Sequence, residues 1–173
     1  STSMDKRHPE AKSDYHKTPN IDDLIESGMR FSNAYSSSPV CSPSRYSIQF
    51  GKSPAKLKIT RVLGKNKVDH DQIAIPQILK SINPNYVAAH FGKWHINESP
   101  DRYGYDFHDG MTTNKEGGFD KDNRLQWGGY AEEDPKRVYS LTSRTINFIK
   151  NSLSKKKPFF VQLSHYAVHS NIV

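Results

Sequence analysis

Cysteine is nearly absent: Cys41 is the only one in 173 residues. A single cysteine excludes an internal disulfide and any paired-cysteine zinc site, and it leaves the redox compartment open. Long apolar runs are missing too. No stretch approaches the roughly 18 apolar residues of a membrane helix. The charged start, STSMDKRHPEAKSDYHK, carries no signal-peptide pattern and reads like a chain entered midway. Apolar residues are scarce, at 34% with a mean hydropathy of -0.80. An ordinary globular chain holds roughly 45–50%, glycine included, so the core is thin or is completed by strands outside this chain. Aromatics at 11% exclude a disordered composition. A net charge of +7 favours anionic partners in general. No zinc-finger, RRM or basic-zipper motif accompanies it, which speaks against nucleic acid. The basic groups at Lys52, Lys56, Lys58, Arg61, Lys65 and Lys67, and at Lys155 to Lys157, read as solvated loop surface.

What is present is punctuated α/β patterning. TPNIDDLIESG predicts a helix with Thr18 as N-cap, Pro19 in the first turn and Gly28 closing it. MRFSNAYS alternates as a short strand, with Phe31, Asn33 and Tyr35 on one side. Ser42 as cap and Pro43 as first residue open a second helix that Gly51 ends. Residues 52–70 read as loop, DQIAIPQILKSI as a short amphipathic helix with Pro76 near its start, and NYVAAHFG as a strand ending at Gly92. Residues 100–134 read as one long connection. The longest helix is PKRVYSLTSRTINFIKNSL, with Val138, Leu141, Thr145, Phe148 and Ile149 at three- and four-residue spacing, and Phe159 to Leu163 form a buried strand. Helices alternating with buried-type strands predict an α/β layer fold with a mostly parallel sheet.

Three groups can carry chemistry. Cys41 stands on polar, proline-framed ground (SSSPVCSPSR) just before a predicted helix, where free N–H groups and the helix dipole favour negative charge. Arg45 lies one turn along the same face. On spacing alone Cys41 is either a placed nucleophile or a tolerated surface cysteine. In HFGKWH, Lys93 and His95 straddle Trp94; in an extended segment they share a face, as an anion clamp beside a proton donor or simply as two polar residues at a strand end. His165 and His169 follow the last strand, at the sheet end where open α/β folds bind ligands, although a lone histidine there is also compatible with a structural role.

In order along the chain, these stretches resemble one family. CSPSR followed by Gly51 and Lys52 looks like the first sulfatase signature, Cys-x-Pro-Ser-Arg running on to Gly-Lys. NYVAAHFGKWH looks like the second. TPNIDDLIESGMRFSNAYSSSPV matches the usual lead-in, and KPFFVQLSHYAVHSNIV the later strand and its histidine turn. The resemblance to type I sulfatases, of the alkaline-phosphatase-like superfamily, covers most of residues 18–100 and 135–173. It implies a three-layer αβα sandwich, incomplete in these residues, with 1–173 part of the N-terminal catalytic domain. It further implies that a formylglycine-generating enzyme oxidises Cys41 to Cα-formylglycine (3-oxoalanine). One hydroxyl of the hydrated aldehyde then attacks sulfur, and the other expels sulfate. By similarity Arg45 orients the hydrate, Lys93 holds a sulfate oxygen, His95 positions or activates the hydrate, and His169 contacts the sulfate or protonates the leaving oxygen. Ca²⁺ sits against the sulfate, with modified Cys41 among its ligands.

Departures from the signatures fall at Gln49, Phe50, Asn85 and Ala88, which are scaffold positions. The family's aspartate pair, its Asp-Asn pair and a further lysine have no counterpart, and Asp22 and Asp23 sit in a helix pattern that does not fit them. The chain therefore reads as an internal segment, expected to be inactive alone. The expected substrate is a sulfate ester, with the basic stretch 52–67 and the aromatics Trp127, Tyr130 and Tyr139 facing a sulfated carbohydrate. The competing readings are a phosphonate or phosphodiester hydrolase sharing the cysteine signature, and an anion-binding pseudoenzyme. The family's locations are periplasm, lysosome or the exterior.

Overall fold

The computed structural model describes residues 15–31, 33–62, 68–117 and 133–169. The chain divides into two units, Ser1–Ser36 and Ser37–Val173. In the first, α1 spans Pro19–Ser27 and buries none of its residues. Thr18 stands at the N-cap, but its hydroxyl donates to the Asp22 carboxylate (3.1 Å) and caps no backbone N–H. The strand predicted over MRFSNAYS is absent among the described residues, and Met29, Phe31 and Tyr35 are exposed. Alternation alone does not make a strand when no ladder satisfies the backbone.

The second unit carries a three-stranded parallel sheet, ordered β2-β1-β3. The central strand β1 (Val87–Gly92) pairs with β2 (Phe107–His108) on one side and β3 (Phe159–Ser164) on the other. The two-residue β2 lies in the stretch expected to be loop. It is too short to alternate, and Asp106 extends it: its N–H donates to the Ala88 carbonyl and its carboxylate accepts the Ala88 N–H, both at 2.8 Å.

Period-2 alternation divides β1 and β3 between two layers. Ala89 and Phe91, with Val87, Phe159, Val161 and Leu163, form one apolar cluster with Leu141 and Phe148. Those last two residues belong to α4 (Val138–Ser154), whose buried positions Leu141, Thr145, Phe148 and Ser152 follow the helical repeat. Thr145 and Ser152 face inward at little cost because their hydroxyls donate to carbonyls one turn back, at 2.8 and 2.9 Å. On the other face Ala88 and Phe160 join Tyr46, Phe50, Trp94, Tyr103 and Tyr105. The helix on that side is α2 (Cys41–Phe50), and α3 (Ile75–Ile82) follows it in the chain. The result is the expected α/β/α layering. Residues 52–62 form turns as predicted, yet Leu57 and Ile59 are buried in this second cluster. No helix among the described residues is long and apolar enough to cross a membrane.

Candidate active site: a cation-lined pocket at the start of α2

The N-terminus of α2 lies beside the C-terminal ends of β1 and β3. Val40, in extended conformation, precedes the helix, so Cys41 is its first residue and not the residue before the cap. Pro43 thereby moves to the third position, where its missing N–H still costs nothing because that amide has no intrahelical partner. Gly51 closes the helix in the left-handed conformation, φ 61°.

Where β1 ends, its backbone runs tightly against β3. Gly92 has φ 92°, and a Cβ there would sit 2.2 Å from the Ser164 carbonyl oxygen. The Lys93 N–H donates to that same carbonyl at 2.8 Å. Residues 93–95 then turn around Thr112. The Trp94 N–H donates to the Thr112 hydroxyl (2.9 Å), that hydroxyl donates to the Gly92 carbonyl (2.6 Å), and the His95 N–H donates to the Thr112 carbonyl (2.8 Å). His95 itself is left-handed, φ 55°. These hydrogen bonds fix the course of residues 93–95 beyond the end of β1, and of Lys93 and His95 only Lys93 lines the pocket. Trp94 does pack into the core behind them, 1% exposed.

Cys41, Arg45, Lys93 and His169 line one open pocket of about 530 Å³. Cys41 is a free, half-buried thiol. The Arg45 guanidinium donates to the Lys93 carbonyl and so ties α2 to the chain leaving β1. His95 stands outside the lining but within electrostatic reach of Lys93, Arg45 and His169. Its Nδ1 is buried without a hydrogen-bond partner among the described residues. His165 does not line the pocket. Two lining residues on β3, Gln162 and Ser164, are not among the candidate site residues read from the sequence. Their signature was the alternation in FFVQLS, where every second residue after Phe160 turns polar.

Charge in the pocket has one sign. No Asp or Glu lines it among the described residues. Burial lowers the pKa of Lys93, against an opposing effect of Cys41, and burial likewise lowers that of Arg45. His95 is pushed down to about 4 by burial and by the neighbouring Lys93 and Arg45. His169 is lowered by burial, then by Lys93, Lys136 and Arg45. At neutral pH the site thus presents an ammonium, a guanidinium and neutral imidazoles, an arrangement that binds an anion and donates hydrogen bonds to it. A hydrated aldehyde at position 41 fits here: the residue is accessible, sits at a helix N-terminus and is ringed by donors. Ca²⁺ does not fit these residues alone. Among the described residues no group of three His, Cys, Asp or Glu can hold a metal.

The other sequence-level substrate contacts do not gather here. Lys52, Lys56 and Lys58 line a separate pocket beyond the far end of α2. Its 10 residues separate that cluster from Cys41 by about 15 Å. Trp127 and Tyr130 lie outside the described residues, and Tyr139 is exposed in the first turn of α4.

The family model described as Sulfatase matches residues 5–172. The chain belongs to the sulfatase family. It is 28% identical over 188 residues to the N-acetylgalactosamine-6-sulfatase of Canis lupus familiaris, an alignment covering 90% of this chain and 36% of that protein. It is 30% identical to the N-acetylglucosamine-6-O-sulfatase of Bacteroides thetaiotaomicron, covering 90% and 27%. Among solved structures, the crystal structure of Ps i-CgsB is similar at a TM-score of 0.68 and 28% identity, covering 89% of this chain and 40% of that one. The same protein has been solved in complex with k-i-k-neocarrahexaose. These sulfatase residues thus span 27% to 36% of the curated relatives' length.

Proposed function

We propose that the protein containing this sulfatase segment hydrolyses sulfate esters of carbohydrates, with Cys41 at the reacting position as Cα-formylglycine. The observation that carries the reading is the convergence of Cys41, Arg45, Lys93 and His169 on one pocket that no carboxylate lines among the described residues. Residues 1–173 are then part of an N-terminal catalytic domain. The carbohydrate part rests on the names of the similar sulfatases and on the oligosaccharide complex of the structural neighbour.

When formed, the hydrated aldehyde supplies the oxygen that attacks sulfur. The Lys93 ammonium, held at the strand end, binds a sulfate oxygen. Arg45 lies on the side of Cys41 and offers its remaining N–H donors to the oxygen at position 41. His169, neutral at pH 7, donates a hydrogen bond to the sulfate from across the pocket. His95 acts from behind, its unsatisfied imidazole available to an oxygen at position 41. Ca²⁺ would be held by modified Cys41 together with oxygen donors outside the described residues, and would neutralise charge on the sulfate. A formylglycine-generating enzyme that reads Cys-Ser-Pro-Ser-Arg is the maturation partner. Periplasm, lysosome or the exterior is the compartment, which fractionation of the host cell checks.

Two measurements test this reading. The peptide containing Cys41, from the complete protein co-expressed with the maturing enzyme, carries formylglycine by mass spectrometry; unmodified cysteine alone favours an anion-binding pseudoenzyme. The complete protein prefers an aryl sulfate to the matching phosphodiester and phosphonate, and the reverse preference reassigns the reaction. The isolated 173 residues are expected to show no turnover.

A further inference from the structure

Lys136 belongs to no motif, yet it is buried at 7% exposure. A lysine is rarely buried unless its charge is engaged. It lies in the short turn Pro135–Arg137 that leads into α4, and its ammonium donates to the backbone carbonyl of His169. The backbone is unusual at this place. Lys136 and the adjacent Arg137 are both left-handed, with φ of 51° and 55°. Non-glycine residues adopt that conformation only where the surroundings impose it, and such places cluster at functional sites. The turn that carries His169 is fixed a second time from the other end. The His169 N–H donates to the Tyr166 carbonyl at 3.1 Å. Tyr166 is buried, its ring so close to Gly117 that a Cβ there would lie 2.6 Å from it. His169 is thus held by its N–H and by its carbonyl while it lines the pocket of Cys41, Arg45 and Lys93.

We propose that Lys136 is a positioning residue that sets the His169 imidazole against the bound sulfate by holding the His169 carbonyl. Lys136 is not itself a sulfate ligand: it does not line the pocket, and its ammonium is aimed at a carbonyl. The lowering of its pKa by burial agrees with a cation withdrawn from solvent. This inference rests on the sulfatase reading.

The experiment is a double-mutant cycle in the complete, matured protein, using Lys136→Met, which keeps the alkyl stem, and His169→Ala. With an aryl sulfate, Lys136→Met lowers kcat roughly 10- to 100-fold with KM within about twofold, the pattern of a misplaced group. In the His169→Ala background the same substitution changes kcat less than about twofold. Equal losses in both backgrounds overturn the proposal, because a purely structural lysine gives additive effects. Should Lys136→Met fail to fold by thermal melting, Lys136→Arg decides: it retains the donor, and kcat within about threefold of wild type is expected, whereas a tenfold loss at normal melting overturns the idea. If the wild type turns over no sulfate ester, the sulfatase reading has failed. The cycle is then read by calorimetry with inorganic sulfate, where Lys136→Met weakens binding only while His169 is present, and weakening independent of His169 refutes the role.

Discussion

The two faces of the β1–β3 pair differ sharply although the same strands build both. Toward α4 the sheet presents Ala89, Phe91, Phe159, Val161 and Leu163, closed by Leu141 and Phe148. Phe148 meets Phe91, Phe107 and Phe159 edge-on at 6.1, 5.6 and 6.0 Å. Toward α2 the same strands present the polar His90, Gln162 and Ser164 beside Ala88 and Phe160. There the Gln49 amide donates to Gln162 Oε1 at 2.8 Å, and the Tyr105 hydroxyl, with one proton, lies 3.0 Å from both glutamine oxygens. His90 Nε2 stands 3.2 Å from the Ser164 hydroxyl. This polar layer runs from Tyr105 in the interior to Gln162 and Ser164 at the pocket. His90 Nδ1 and the Ser47 hydroxyl remain buried there without partners among the described residues. The dry face holds the sheet by packing. The polar face gives up some of that stability and in return reaches the pocket with oriented groups.

Substitutions that separate the two faces sharpen this contrast. The largest expected effect is on the dry face: Phe148→Ala removes the ring that three others contact and lowers stability by about 3–5 kcal/mol in chemical denaturation. Gly92→Ala, at the end of the strand both faces share, forces a Cβ onto the Ser164 backbone and costs about 3 kcal/mol. It also moves Lys93, so activity falls further than stability alone explains. On the polar face Gln162→Leu leaves Gln49 and Tyr105 short of a partner, at about 2 kcal/mol. Were Gln162→Leu neutral, the layer would be a passive filler and the contrast would collapse.

The pH dependence isolates the polar face again. Burial pushes the His90 pKa down to about 3, against an ordinary value of 6.5. Below pH 6.5 the unfolded chain takes up a proton that native His90 refuses, so stability is lost as pH falls from 6.5 toward 3. At pH 5 the loss from this residue is about 2 kcal/mol, and melting of His90→Phe at pH 7 and pH 5 shows the drop reduced by that amount. Smallest is Arg144→Ala. Its guanidinium lies over Phe91 at 4.9 Å and pairs with Asp109, but it is half exposed, so the change is under about 1 kcal/mol.

The site was legible in the sequence wherever a local rule governs it. The helix start at Cys41, the strand ends at Gly92 and after Leu163, and the α4 repeat all follow from neighbours in the chain. Helix α2 begins two residues earlier than its cap pattern suggests, because an extended Val40 replaces the side-chain cap. The geometry of His95 was not legible. It depends on Thr112, 17 residues away in the chain, whose hydroxyl and carbonyl hold the backbone N–H groups of Trp94 and His95. Residues 29–36 have the alternation of a strand, but no ladder forms there among the described residues. Gln162 was visible as a polar break in β3, but Lys136 reaches His169 across 33 residues, and only the fold brings them together.

The most direct measurement compares the complete, matured protein with its Cys41→Ala variant on an aryl sulfate, both confirmed folded by thermal melting. The account predicts wild-type turnover and a fall in kcat/KM of about a thousandfold or more in the variant. Turnover by Cys41→Ala at the wild-type rate would contradict it, because the pocket's cations would then act without the oxygen at position 41.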